Sequence, residues 1–327
     1  MSGFEIVLCI ALLIIGMILL IKGADWFVEG ASAIAKALKI PSLVIGLTLV
    51  SIGTSMPEFS VSLTSSLGGN IDMSFGNVIG SNIFNTFVVI GVSAIIVPLV
   101  VSKQMQKYDL PILISIYLLL ALFSFVITPG TINVIESIIL FSLTIIYTIF
   151  LILRSKGQQV NEENSNRKQR KWWVNLILVA IGIAGIILGG KLVVNNASKI
   201  AMALGMSEML VGLTIVAIGT SLPELVTSIV AAKKGENDIA VGNAIGSCLF
   251  NIVLILGFCS ILEPYVVNVS NFNTLIDVIV MLASAIIVFV FSIKSKKINR
   301  WQGIVMVLIY VVYFTYIVLR DLGILVF

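Results

Sequence analysis

Two stretches place oxygen-bearing side chains inside runs that are otherwise apolar: SIGTSMPEFS at residues 51–60 and AIGTSLPELV at residues 217–226. Each carries a Thr–Ser pair, a proline and a glutamate. Each is followed downstream by a second phrase, GNVIGSNIFN (76–85) and GNAIGSCLFN (242–251). Thr54 and Glu58 are four residues apart, as are Ser81 and Asn85, so on a helix each pair shares one face. Thr220 with Glu224, and Ser247 with Asn251, repeat that spacing. Converging, these faces would offer two carboxylates, two carboxamides and several hydroxyls, Ser55 and Ser221 among them. Histidine is absent from the entire chain. Such an all-oxygen donor set suits Ca²⁺, Mg²⁺ and alkali ions rather than the metals that favour imidazole or thiolate.

The prolines and the charge sharpen this reading. A proline within a helix withholds one N–H and frees a carbonyl about a turn earlier. At Pro57 and Pro223 these carbonyls fall near Ser51–Gly53 and Ala217–Gly219. An ionised glutamate at mid-bilayer costs about 2.5–3.5 kcal/mol on insertion-based scales, and two that face each other also repel. One Ca²⁺, a small group of Na⁺ ions, or protons would neutralise them. A site that must always be filled gives obligatory exchange. A hydrolase using Ser55 or Ser221 as nucleophile would need a lysine base in place of histidine. Neither phrase contains a lysine, so no enzyme activity is expected, and no cofactor.

The elements that position these groups follow from composition. The 327 residues include only 11% charged residues against 59% hydrophobic ones, whereas soluble domains carry roughly 25% charged residues. Apolar runs of about 20 residues, enough to cross a bilayer core, succeed one another along the chain. The expected fold is all-α, a polytopic membrane protein with ten transmembrane helices near 4–33, 42–67, 73–100, 108–127, 132–153, 173–203, 209–232, 239–262, 273–293 and 301–323. The first apolar run has no basic residue before it and no small-residue cleavage site after it, so it is expected to be retained.

Alternate loops carry 16 of the 20 Lys and Arg residues. By the positive-inside rule those loops are cytoplasmic, with both termini outside the cell membrane. The segment RSKGQQVNEENSNRKQRK (154–171) is polar without apolar periodicity and reads as a flexible cytoplasmic linker. Cys9, Cys248 and Cys259 all lie in apolar runs, as small packing residues. Asp25, Lys22 and Lys191 are expected to snorkel to the interface or pair within their own helices. Asn77 and Asn243 suit either a bond between helices or support of the site. The expected partners are the lipid bilayer and the ions themselves, with no nucleic acid and no obligatory protein partner.

A shift of 166 residues overlays the chain on itself without a gap. GLTLVSIGTSMPE (46–58) meets GLTIVAIGTSLPE (212–224) with ten of thirteen positions identical, and GNVIGSNIFN meets GNAIGSCLFN with seven of ten. The first repeat covers 1–153 and the second 172–327, five helices each. Because five is odd, the second copy enters the membrane from the opposite side. Inverted repeats of this kind occur in secondary transporters, with the site near the midplane between the copies.

GTSMPE with GNVIGSNIFN, and GTSLPE with GNAIGSCLFN, resemble the two alpha-repeats of the sodium/calcium exchanger family, prokaryotic type without a large regulatory loop. The resemblance spans the whole chain. It implies an antiporter exchanging Na⁺ for Ca²⁺ by alternating access, with helices 2, 3, 7 and 8 around the cation sites and helices 1 and 6 sliding past them. It further implies that Glu58 and Glu224 are acidic ligands shared by both ions. Thr54, Ser55, Ser81, Thr220, Ser221 and Ser247 would supply hydroxyl and carbonyl ligands, Ser51 and Ala217 main-chain oxygens, and Asn85 the central carboxamide. At Asn251 well-described members carry Asp, which puts potassium coupling in question. The calcium/proton branch typically has an acidic residue where Gly80 and Gly246 stand here, which argues against the alternative of Ca²⁺/H⁺ exchange.

Overall fold

The computed structural model describes residues 3–69, 71–155, 172–205, 217–263, 265–266, 272–321 and 324. In chain order the helices are α1 (Gly3–Ala37), α2 (Ser42–Thr54), α3 (Met56–Leu67), α4 (Met73–Ile96), α5 (Met105–Ile127) and α6 (Val134–Ser155). They continue as α7 (Trp172–Ala203), α8 (Ala217–Thr220), α9 (Leu222–Lys233), α10 (Asn237–Leu262), α11 (Phe272–Ser295) and α12 (Arg300–Asp321). Among the described residues eight of these are long and apolar enough to cross a membrane, or nine if the bent pair α2–α3 is one span. The helix expected at 209–232 is described from Ala217 onward, as α8 and α9. Its first part lies outside the described residues, as does the expected linker beyond Ser155.

Burial sorts the helices by role. The outer ones turn Ile14, Ile135, Ile146 and Val312 outward, each more than half exposed, as suits a chain whose solvent is lipid. α4 and α10 are the two most enclosed spans. Every residue of α10 from Ile239 to Phe250 is buried. The Ser81/Asn85 and Ser247/Asn251 pairs therefore sit on the innermost helices rather than on a lipid-facing stripe.

Among the described residues, four two-residue strands tie the halves together: β1 (Leu99–Val100), β2 (Thr131–Ile132), β3 (Tyr265–Val266) and β4 (Lys297–Ile298). β1 pairs antiparallel with β4, matching Leu99 to Ile298 and Val100 to Lys297. β2 pairs antiparallel with β3, matching Ile132 to Tyr265 and Thr131 to Val266. Adding 166 to the first half's numbers, and subtracting it from the second's, converts one register into the other. β1 precedes α5 and β2 follows it, so the two clasps close opposite ends of that helix.

α1 and α7 cross in backbone contact. A Cβ placed at Gly189 would lie 2.6 Å from Leu20 N and 2.7 Å from Gly16 O, and one at Gly23 would lie 2.7 Å from Ile186 N. Small residues permit this approach in membranes, where close packing replaces the hydrophobic drive. α2 meets α10 the same way, since a Cβ at Gly46 would lie 2.9 Å from both Asp238 O and Ile239 Cα.

Candidate functional site

The phrase that holds Glu58 does not form one continuous helix. Ser55 takes φ −82° and ψ 8°, and α3 leaves α2 at an angle of 49°. Thr54 and Glu58 therefore do not share the face of a single straight helix, as their spacing had implied. Pro57 sits in the first turn of α3, where its missing N–H costs nothing, and Glu58 follows it in the same turn. Negative charge at a helix N-terminus lies at the favourable end of the backbone dipole. Ser221 repeats the break with φ −91° and ψ 7°, with Pro223 and Glu224 opening α9. The main-chain oxygen of Ser51 is not left free by the proline, because Ser55 N–H donates to it at 3.0 Å. It also accepts from Thr54 Oγ1 at 3.3 Å and, at the long distance of 3.5 Å, from Ser247 Oγ.

Each break sends its serine across to the other half's glutamate. Ser55 Oγ donates to Glu224 Oε1 at 2.8 Å, and Ser221 Oγ donates to Glu58 Oε1 at 2.9 Å. Ser81 Oγ lies 3.2 Å from Ser221 Oγ, and Ser247 Oγ lies 3.4 Å from Glu224 Oε1. Both carboxylates are fully buried, as are Asn85 and Asn251. Thr54, Thr220, Ser51, Ser55, Ser81, Ser221 and Ser247 are buried with them. The structure thus draws the expected side chains into one interior region. Ala217 begins α8, and its side chain lies outside the described residues.

Asn77 and Asn243 hold the glutamate backbones. Asn77 Nδ2 donates to Glu58 O at 3.2 Å and to Ser62 Oγ at 2.9 Å. Asn243 Nδ2 donates to Glu224 O and Ser228 Oγ at the same two distances. Thr54 Oγ1 in turn donates to Asn243 Oδ1 at 2.9 Å, which links α2 to the asparagine that holds Glu224. Asn85 and Asn251 each open a π-helical segment, Asn85–Val89 and Asn251–Leu256. Such wider turns interrupt the regular backbone ladder and recur at functional sites.

Among the described residues, several buried polar atoms in this region have no hydrogen-bond partner: Glu58 Oε2, Glu224 Oε2, Asn251 Oδ1, and Asn85 Oδ1 and Nδ2. Buried polar groups are ordinarily satisfied, because leaving one unpaired costs about 1–3 kcal/mol. Four of these five atoms are oxygen acceptors, the donor type a hard cation requires. Asn82 belongs to the same region, since Asn251 Nδ2 donates to Asn82 Oδ1 at 2.9 Å. Sequence reasoning had passed over it. The usable signal was a mismatch between the repeats, which place Cys248 at the equivalent position.

Asp25 is not held within its own helix. Its carboxylate accepts from Lys234 Nζ at 2.7 Å, which fastens α1 to the turn between α9 and α10. Nearby, Ser32 Oγ donates to Glu236 Oε1 at 2.5 Å.

The family model described as "Sodium/calcium exchanger protein" matches residues 8–153 and 174–319. The sodium/calcium exchanger MaX1 of Methanosarcina acetivorans is 32% identical over 338 residues, covering 92% of this chain and 96% of that protein. The putative antiporter CaxA of Alkalimonas amylolytica is 35% identical over 309 residues, covering 92% and 95%. A solved structure of the sodium-calcium exchanger NCX_Mj, soaked with zero Na⁺ and Ca²⁺, superposes with a TM-score of 0.83 at 33% identity, covering 95% of this chain and 99% of that one.

Proposed function

Because the chain belongs to the sodium/calcium exchanger family, we propose that it exchanges Na⁺ for Ca²⁺ by alternating access, the ions held at the midplane between Glu58 and Glu224. The observation that carries this reading is the pair of buried carboxylates. Each accepts through one oxygen from a serine of the opposite half, and the other oxygen has no hydrogen-bond donor among the described residues. Two negative charges in a lipid-surrounded interior demand cations, and one Ca²⁺ or a group of Na⁺ ions would meet that demand.

In this reading Glu58, Glu224, Ser55, Ser221, Ser81, Ser247, Thr54, Thr220, Asn85, Asn251 and the main-chain oxygens of Ser51 and Ala217 form the ion-binding set. Residues 1–153 and 172–327 are the two inverted five-helix repeats. The α1–α7 pair, joined through its glycines, slides as one body to open the site to either side. The chain lies in the plasma membrane with both termini extracytoplasmic, following the distribution of its Lys and Arg residues. It acts as a transporter rather than an enzyme, and it needs no cofactor or protein partner.

The test is Ca²⁺ uptake into vesicles containing the purified protein, with Na⁺, K⁺ and pH varied separately. A Na⁺ gradient at clamped pH drives uptake if the reading holds, and K⁺ has no effect. Uptake driven by a pH gradient alone would replace it with Ca²⁺/H⁺ exchange, and flux indifferent to every counter-ion gradient would indicate a channel. Glu58→Gln or Glu224→Gln abolishes exchange, and near-normal Na⁺-driven flux in either variant would overturn the assignment.

A further inference from the structure

Asn85 and Asn251 stand at equivalent positions, yet their surroundings differ. Asn251 Nδ2 donates to Asn82 Oδ1 at 2.9 Å, while Asn82 Nδ2 donates to the main-chain oxygen of Cys248 at 3.2 Å. Asn82 is thereby oriented by the neighbouring half and presents an oxygen to Asn251. The equivalent residue facing Asn85 would be Cys248, and its thiol approaches Asn82 O at 3.6 Å instead. Sulfur accepts hydrogen bonds weakly. Both Asn85 Nδ2 and Asn85 Oδ1 lack a partner among the described residues. All four side chains are fully buried, so water outside the protein does not level the difference.

The geometry points to Asn82 as a positioning residue that fixes Asn251 with its carbonyl oxygen available to the transported cation, while Asn85, lacking such a clamp, is free to turn. The chemistry follows from the amide. Once the NH₂ of Asn251 is engaged, its Oδ1 is committed as an acceptor and need not reorganise when a cation arrives. An unclamped carboxamide must be turned oxygen-first by the cation itself. The two halves, alike in their glutamates and serines, thus contribute one fixed and one adjustable oxygen. This inference rests on the cation site proposed above.

The test compares the parent protein with Asn82→Cys, Cys248→Asn and the double exchange of both, each reconstituted in vesicles and assayed for Na⁺-driven Ca²⁺ uptake. The expected result for Asn82→Cys is a rise of about tenfold in half-saturating Ca²⁺, the scale of one lost hydrogen bond, with the maximal rate changed far less. Cys248→Asn gives Asn85 its own clamp and lowers half-saturating Ca²⁺ by about threefold. The double exchange moves the clamp from Asn251 to Asn85 and brings half-saturation back toward the parent value. A residue that merely filled space would show no such restoration. Half-saturation within about twofold of the parent in both single variants would overturn the inference, as would a double exchange no closer to the parent than Asn82→Cys alone. Should Asn82→Cys fail to fold, Cys248→Asn decides alone, since it leaves Asn82 intact. Absence of Na⁺-driven uptake in the parent would instead overturn the site reading and the clamp with it.

Discussion

Ser55 and Glu224 lie 169 positions apart in sequence, yet the serine hydroxyl donates to the glutamate's Oε1 at 2.8 Å in the fully buried interior. The equivalent pair, Ser221 and Glu58, repeats the contact at 2.9 Å. A serine three residues before one glutamate thus serves the other, and the halves cannot part without exposing both carboxylates. Hydrogen bonds to ionised groups contribute more than neutral ones, about 1.5–3 kcal/mol each. Ser55→Ala removes the shortest contact to Glu224 Oε1 and leaves the longer one from Ser247 at 3.4 Å. Half-saturating Ca²⁺ should rise at least about tenfold on that scale. Ser221→Ala should match it, because the geometry is repeated. Uptake measured against Ca²⁺ concentration checks both variants side by side.

Adjacent glycines on α7 should respond in opposite ways to the same methyl group. A Cβ at Gly189 would stand 2.6 Å from Leu20 N, and backbone does not yield as a flexible side chain does. Among the described residues a Cβ at Gly190 would meet only Pro223 Cγ, at an ordinary 3.7 Å. Gly189→Ala must therefore push α1 from α7, at a cost of about 1–3 kcal/mol for overpacking. Gly190→Ala is accommodated and gains helix propensity. Thermal unfolding in detergent should rank them in that order, with exchange lost or slowed only in Gly189→Ala.

Much of this architecture was legible in the chain, for definite reasons. Long apolar runs announce helices because lipid offers the backbone no other partner. The 166-residue repeat marked Glu58 and Glu224 because a buried charge kept in duplicate is unlike a packing residue. What spacing could not reveal were features that depend on tertiary convergence. The four-residue interval between Thr54 and Glu58 assumed a helix that in fact breaks at Ser55. The crossing of Ser55 to Glu224, the role of Asn82, and the reach of Lys234 to Asp25 all join residues that no local pattern relates. The strand clasps escaped notice because two residues are too few to show alternation.

A second duplicated cluster separates stability from transport. Asp109 accepts from Arg154 at 3.0 and 3.1 Å and from Tyr147 Oη at 3.0 Å, with Asp109 fully buried and Arg154 only 9% exposed. In the other half Asp277 accepts from Arg320 at 3.1 Å and Tyr313 Oη at 2.9 Å, with side chains 18–21% exposed. Removing one partner of a buried pair strands the other charge, at a cost of about 3–5 kcal/mol. Arg154→Met should therefore lower the unfolding temperature clearly more than Arg320→Met, whose pair is less completely buried. Neither cluster includes a member of the proposed ion set. Whatever protein folds should keep its half-saturating Ca²⁺ near the parent value.

Asn251→Asp tests the charge of the centre directly. An asparagine cannot take up or release a proton in the working range, so the parent site holds two ionisable side chains, Glu58 and Glu224. The substitution adds a third and also removes the Nδ2 donor that binds Asn82 Oδ1 at 2.9 Å. At low pH the introduced carboxyl is protonated, hence neutral and again a donor to Asn82, and the variant should approach the parent in half-saturating Ca²⁺. As pH rises the carboxyl ionises, its repulsion with the two glutamates grows, and cation binding must offset a third charge. The variant's curve should then depart from the parent's, and a dependence on K⁺ should emerge if that charge recruits a further monovalent ion. Uptake measured over a pH series, with and without K⁺, reads both effects. Parallel curves for parent and variant across the series would mean that residue 251 does not face the transported ions.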